Sequence, residues 1–255
     1  MRSPLAGKVS VILGATSEIG RETGRVFAES GSSLLLVGRR GERLNEVGEI
    51  CSRYNVRVRT LQADLTVKGV PKQVIEAALE AFGRVDVLVS YVGYQFKREI
   101  WFRELHELDE ELVTEIFRAD FLSSFSAVRE VIPVMRRSGG GTIILTTSTP
   151  AVSWHVHGAA YTFAKSAIIS LVRSIAAENG RYNIRSYALA LGNIRTSITY
   201  DSLDVDERRR LAEESPMRRW GEPEEVAKVA LALATDAFSF VNGQTIVIDG
   251  GTVMS

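Results

Sequence analysis

The feature that most constrains this chain is an alternation. Short β-branched or leucine-rich runs recur at residues 9–13, 34–37, 56–61, 85–89, 143–146, 184–189 and 245–248, and most are separated by segments of helix length. Runs this short cannot cross a bilayer and have the length of strands buried on both faces. Strand then helix, repeated, requires crossover connections, and right-handed crossovers give an α/β fold whose parallel sheet is covered by helices on both sides. Between the fourth and fifth runs, Leu112, Ile116, Phe121, Phe125, Val128, Ile132 and Met135 recur at three to five residues, which predicts one helix face.

No Pro-rich linker, low-complexity tract or internal repeat divides the sequence, so residues 1–255 are expected to form a single domain. The exception to the rhythm is a helical stretch at about 197–215 with the run "DVDERRR". It is either a substrate-covering segment, spanning about 195–216, or a solvated surface helix. Thirty-one basic residues balance thirty-one acidic ones. No overall field would hold a nucleic acid or an anionic membrane, which points to a small-molecule substrate. The single Cys51 cannot form an internal disulfide, and the start MRSPLAGKVS lacks the apolar run of a signal or spanning segment. A cytoplasmic protein is expected.

Directly after the first run comes "LGATSEIG", with Gly14 and Gly20 bracketing a turn into a helix. Glycine lets the backbone turn sharply and approach a pyrophosphate, while free amides and the dipole at a helix start attract its charge. Gly14 and Gly20 are therefore candidate pyrophosphate-binding residues, and Ser17 and Ile19 in the same turn are counted with them as candidate cofactor-binding residues. The second run ends in Gly38-Arg39-Arg40. An acid there would accept from a ribose 2′-hydroxyl, whereas arginine pairs with a 2′-phosphate, so NADP(H) is expected over NAD(H). The alternative is that Arg39 and Arg40 are solvated surface residues. Asp64 in "QADLT", with Leu65 beside it, is placed to accept from an adenine amino group.

Tyr161 and Lys165 in "YTFAK" are four apart, so on a helix they share one face. At about 4 Å and an effective dielectric near 20, one unit charge contributes about 4 kcal/mol to phenolate stability. That would bring the phenol toward the range of an acid or base near neutral pH. Ser148 ends the run "TIILTTS", and strand ends at the carboxyl edge are where α/β sheets bind ligands. Serine, tyrosine and lysine converging beside a nicotinamide suit hydride transfer to a carbonyl.

At these residues the sequence resembles the short-chain dehydrogenase/reductase family over essentially its whole length. The resemblance runs through "LGATSEIG", "ADLT", "FGRVDVLVSYVG", "TIILTTS", "YTFAK", "LGNIRT" and the ending "RRWGEPEEVAKVALALATDAFSFVNGQTIVIDGG", which looks most like the 3-oxoacyl-carrier-protein reductase and glucose dehydrogenase branch. It implies a doubly wound Rossmann fold of about seven strands, a homotetramer, and reduction of a ketone or oxidation of a secondary alcohol. It further implies that Tyr161 passes a proton to the substrate oxygen, that Lys165 also holds the nicotinamide ribose, and that Ser148 orients the carbonyl. By the same resemblance Ile194 and Thr196 would grip the carboxamide, with Gly93 along the adenosine ribose.

Several positions depart from the family pattern. Glu18 replaces a glycine of the phosphate turn, and either points inward, where it would repel a pyrophosphate, or faces solvent from the first helical turn. The last-glycine-only match Ser90-Tyr91-Val92-Gly93 leaves Tyr91 either in the core or lining the adenosine groove. Asp120 falls where most members carry an asparagine that helps hold a proton-relaying water. Its charge near Lys165 would offset part of the phenol's pKa depression. In "SWHVH" Trp154 and His155 border the expected substrate site, and two histidines without a nearby acid or cysteine make no metal site. Arg136-Arg137 and Arg208 to Arg210 are either solvated surface or a landing place for an acyl carrier.

Overall fold

Each of the seven apolar runs forms a strand. The computed structural model describes residues 3–254. In chain order the elements are β1 (Val9–Leu13), α1 (Glu18–Glu29), β2 (Ser33–Gly38), α2 (Gly41–Ser52), β3 (Val58–Gln62), α3 (Val70–Phe82) and β4 (Val87–Ser90). There follow α4 (Arg98–Trp101), α5 (Glu110–Phe117), α6 (Ser123–Arg137), β5 (Gly141–Ser148), α7 (Ala159–Asn179) and β6 (Ile184–Leu191). The chain then runs through α8 (Ser197–Tyr200), α9 (Val205–Glu213), α10 (Pro223–Ala234) and β7 (Gln244–Ile248).

All strands pair parallel in the order β3-β2-β1-β4-β5-β6-β7. The order reverses direction between β1 and β4, and that switch point opens a crevice at the carboxyl ends of the strands. Every residue of β1 is buried because helices cover both faces. Successive side chains alternate between the two cores: Ile12 packs with Phe27, Leu44 and Ala230 on the side of α1, α2 and α10, whereas Val11 and Leu13 pack with Val74, Val131 and Ile168 on the side of α3, α6 and α7. Each fully buried leucine or isoleucine contributes about 1.5–3 kcal/mol through removal from water.

Just before β4, the nearly buried Asp86 ties together the amino-terminal ends of the two central strands, β1 and β4. Its Oδ2 accepts from the Val9 amide at 2.9 Å and from Arg84 Nε at 2.9 Å.

The long helix expected across 112–135 is interrupted. Between α5 and α6, residues Arg118–Leu122 form a π-turn in which the Ser123 amide donates to the Arg118 carbonyl. The extra residue shifts the phase, so α5 packs against α7 through Ile116, Ala160 and Ala164 while α6 packs against the sheet and α3 through Val128, Val131 and Met135. A π-turn inside an α-helix is uncommon and tends to sit at a functional site. Here it carries Asp120.

Candidate active site

The crevice is built by the segments at the carboxyl ends of β1 to β6. After β1, Gly14 adopts φ +79°, and a Cβ there would sit 2.9 Å from the Tyr91 carbonyl carbon, so only glycine fits this close crossing. A Cβ on Gly20 would lie on top of the Gly14 carbonyl. Ser17 caps α1, its Oγ accepting from the Gly20 amide at 3.0 Å and donating to the Gly14 carbonyl at 2.8 Å. The amides of Glu18 and Ile19 have no acceptor among the described residues and present the positive end of the helix. This glycine-lined cradle fits a dinucleotide pyrophosphate.

Arg40 and Arg39 follow β2. Both are exposed, in keeping with the surface alternative, but Arg40 Nη2 donates to the Thr16 carbonyl at 3.0 Å, which draws its guanidinium toward the phosphate turn. Partial burial first, then the charges of Arg43 and Arg39, hold its pKa below the ordinary arginine value. Arg43, two residues into α2, therefore joins the cationic group; the sequence reading missed it, although a third arginine three residues past Arg40 was the available signal. Asp64 turns back on its own loop, Oδ1 accepting from the Thr66 amide at 2.9 Å and hydroxyl at 2.7 Å, with its pKa lowered by those bonds. Leu65 places its side chain in the core.

Glu18 corrects an expectation. Its carboxylate does not stand free in solvent: Oε2 accepts from the Ser197 amide at 2.7 Å, so the side chain bridges from the phosphate turn to the start of α8. Tyr91 follows the core alternative, its hydroxyl accepting from Thr23 Oγ1 at 2.9 Å in α1 and its pKa pushed up by burial. Past the end of β6, Ile194 is buried and bridges to Gly221, and its amide has no acceptor among the described residues. Thr196 caps α8, its hydroxyl 2.9 Å from that of Thr199.

The centre of the crevice holds Tyr161 and Lys165 on α7, with Ser148 at the end of β5. The Lys165 ammonium lies 5.5 Å from the centre of the Tyr161 ring. It is buried and 2.9 Å from Asp120 Oδ1, and it donates to the Thr146 carbonyl at 3.3 Å. The approach to Oδ1 is close but off-axis, so the contact is an ion pair and Oδ1 has no well-directed hydrogen bond. Asp120 Oδ2 accepts from the Tyr94 amide at 3.1 Å. Gly93 lies directly against this pair; a Cβ there would meet Asp120 Oδ1 at 2.7 Å.

This ion pair corrects the expected electrostatics. The Tyr161 pKa is raised, not depressed: burial of its hydroxyl end dominates, Asp120 adds to it, and the lowering by Lys165 and Ser148 does not compensate. The ring edge still reaches the crevice, leaving the residue half-buried. Lys165 is held above its ordinary value because Asp120, with a contribution from Tyr161, outweighs burial. Ser148 directs its own hydroxyl to the Leu191 carbonyl at 3.3 Å.

Of the basic groups weighed for an acyl carrier, Arg136 and Arg208 are engaged within the protein, Arg209 and Arg210 make exposed pairs within their own helix, and Arg137 is exposed with no such partner among the described residues. Arg136 donates to Asn179 Oδ1 at 2.6 and 2.9 Å, Arg208 donates to the Tyr200 carbonyl, and Arg209 and Arg210 pair with Glu213 and Glu214.

Residues 14–253 match the family model described as Enoyl-(Acyl carrier protein) reductase. The chain is a short-chain dehydrogenase/reductase. As a member of that family it is an oxidoreductase that works with a nicotinamide cofactor on CH–OH and C=O groups. It is 31% identical to the 3-oxoacyl-[acyl-carrier-protein] reductase of Thermotoga maritima over 250 residues, covering 98% of this chain and 99% of the relative. It is 30% identical to the L-rhamnose-1-dehydrogenase of Scheffersomyces stipitis over 257 residues, 98% of both chains. A solved 7α-hydroxysteroid dehydrogenase, complexed with NADH and 7-oxo glycochenodeoxycholic acid, superposes with a TM-score of 0.91 at 27% identity, covering all of this short-chain dehydrogenase/reductase and 97% of that structure. These relatives act on unlike substrates, so family membership leaves the substrate open. Among the described residues no helix is long and apolar enough to cross a membrane.

Proposed function

We propose that this oxidoreductase uses NADP(H) in preference to NAD(H) and interconverts a ketone or 3-oxoacyl group with the corresponding secondary alcohol. The observation that carries the reading is the convergence of Ser148, Tyr161, Lys165 and Asp120 at the carboxyl end of β5, facing the glycine turn across the switch point. A reduced nicotinamide held between these walls would supply the hydride for the carbonyl carbon. Tyr161 donates its phenolic proton to the carbonyl oxygen, and Ser148 holds that oxygen by a hydrogen bond. Lys165 stabilises the phenolate that results, and Asp120 fixes the ammonium in place.

The preference for the 2′-phosphate rests on Arg39, Arg40 and Arg43 gathered beside the turn, where Arg40 is already anchored to Thr16. Gly14, Ser17, Ile19 and Gly20 would take the pyrophosphate, Asp64 and Leu65 the adenine, Gly93 the adenosine ribose, and Ile194 with Thr196 the carboxamide. Residues 195–216 would cover the substrate within a single domain. The family resemblance supports a homotetramer, and the sequence a cytoplasmic protein.

Fluorescence titration with NADPH and NADH, followed by turnover of a ketone panel by wild type and Tyr161→Phe, tests the reading. NADPH should bind more tightly and the variant should lose turnover. Tighter NADH binding would refute the cofactor assignment, and turnover retained without the phenol would refute the catalytic one.

A further inference from the structure

Taking the oxidoreductase reading as its base, the aromatic surface beside Tyr161 identifies the kind of carbonyl compound the crevice receives. Trp101, at the end of α4, packs edge-on against the Tyr161 ring, with centroids 5.7 Å apart at 62°. It also touches His155 at 5.3 Å and Phe96 at 5.9 Å, so four rings from three segments run without a break from the catalytic phenol to the crevice rim. Trp101 and Tyr161 are half-buried, while Phe96 and His155 are exposed.

This wall is held rigidly. The Trp101 carbonyl accepts from the Gly158 amide at 2.9 Å, and the indole lies so close to Gly158 that a Cβ there would approach its ring at 2.5 Å. The indole is therefore seated against the start of α7 and keeps one aspect toward the phenol.

Of the cations near the wall, Arg98 is paired and Lys97 rests loosely on a neighbouring ring. Lys97 lies over the Tyr94 ring at 5.6 Å, and Arg98 pairs with Glu207 of α9 while lying over Phe102. His155 Nδ1 is taken up by the His157 backbone. A polyhydroxylated sugar would find few free polar partners here and leave hydroxyls unpaired. A phosphopantetheine arm would find only the exposed Lys97 as a cation beside these rings, and none on the ring wall itself. A flat apolar body would gain aromatic packing along a surface that needs no reorganisation.

We infer that Trp101 is a specificity-determining residue and that the substrate is a ring-bearing, largely apolar ketone or the matching alcohol. Trp101 acts by positioning, stacking the substrate's ring so that its carbonyl meets Tyr161.

Calorimetric titration with saturating oxidised nucleotide, which prevents reduction, compares three carbonyl compounds: 2-tetralone, S-acetoacetyl-pantetheine and D-glucono-1,5-lactone. The tetralone should bind about tenfold or more tighter than either of the others, the order of one to two aromatic contacts. Trp101→Leu should shrink that gap to about threefold or less with nucleotide affinity unchanged, and Trp101→Phe should keep most of it. Phe96→Ala, at an exposed position, provides a second variant and should narrow the gap in the same direction.

An absent or inverted preference in wild type, or a gap that survives Trp101→Leu and Phe96→Ala, would overturn the inference. Absorbance assays with reduced nucleotide report the underlying reading separately. Tetralone that binds preferentially yet is never reduced speaks against the reductase and leaves the ring wall standing; turnover without ring preference removes the ring wall alone.

Discussion

Replacing Ser197 with proline should tighten nucleotide binding. The Glu18 side chain starts at the first residue of α1 and ends on the Ser197 amide, 2.7 Å away, thus spanning the gap between the phosphate turn and the carboxamide side of the crevice. A dinucleotide must engage both sides, so the bridge has to open first, and the apparent affinity is reduced by the fraction of protein that is closed. A backbone amide bonded to a carboxylate contributes about 1.5–3 kcal/mol, which solvent exposure at this rim reduces to about 1–2 kcal/mol. That corresponds to a dissociation constant about 5–30-fold lower in the variant, for NADPH and NADH alike.

Proline suits the site: Ser197 is the first residue of α8, and Thr196 before it is extended at φ −125°, ψ 150°. The substitution deletes the donor without altering any charge, which separates the bridge from simple repulsion by Glu18. Fluorescence titration gives the constants, and adenosine 2′-monophosphate, which reaches only the arginine side, should bind both proteins equally. Unchanged NADPH affinity would refute the bridge as a barrier, and equal tightening toward the monophosphate would show that the effect lies elsewhere.

Asp120→Asn should move the pH dependence of turnover downward. Tyr161 is held above its ordinary pKa by burial and by the Asp120 charge, so removing that charge leaves Lys165 unopposed and lowers the value. Alcohol oxidation, which needs the phenolate, should then gain its activity at lower pH, and ketone reduction, which needs the phenol, should lose it at lower pH; coincident kcat/KM profiles would contradict the assignment. Asp86→Ala should lower unfolding stability by about 1–3 kcal/mol in denaturant titration, because it orphans the buried Val9 amide. Cys51 is fully buried with its thiol pushed up to about 12, so Ellman's reagent should label it only at the rate of unfolding.

The central strands β1, β2 and β4 were legible because both faces of the sheet are covered there, so each appears as a nearly continuous apolar run bounded by turn residues, whereas the partly buried outer strands β3 (VRTLQ) and β7 (QTIVI) mix polar residues into theirs. The glycine turn and the four-residue step from Tyr161 to Lys165 were legible because local geometry alone sets them. Asp120 was legible as a departure, but its direct pairing with Lys165 was not, since that depends on a turn joining two helices. A trace of this turn does stand in the sequence, as the five-residue step from Ile116 to Phe121 in an otherwise three- and four-residue rhythm. Glu18 and Ser197 are 179 residues apart, and Trp101 reaches Tyr161 from a four-residue helix with no periodicity to read. Contacts of this kind arise only when separate loops meet.

The π-turn at Arg118–Leu122 makes the two halves of one long helix answer to different partners, α5 to α7 and α6 to α3. A point substitution leaves that arrangement in place. Losing a single residue between 118 and 122 would rejoin the halves in one phase, carrying α5 and everything it supports about 100° around the helix axis while α6 stayed on the sheet. On this side of the crevice, then, the length of the chain is itself a determinant of chemistry, and a change in residue count is a more drastic edit than a change in residue type.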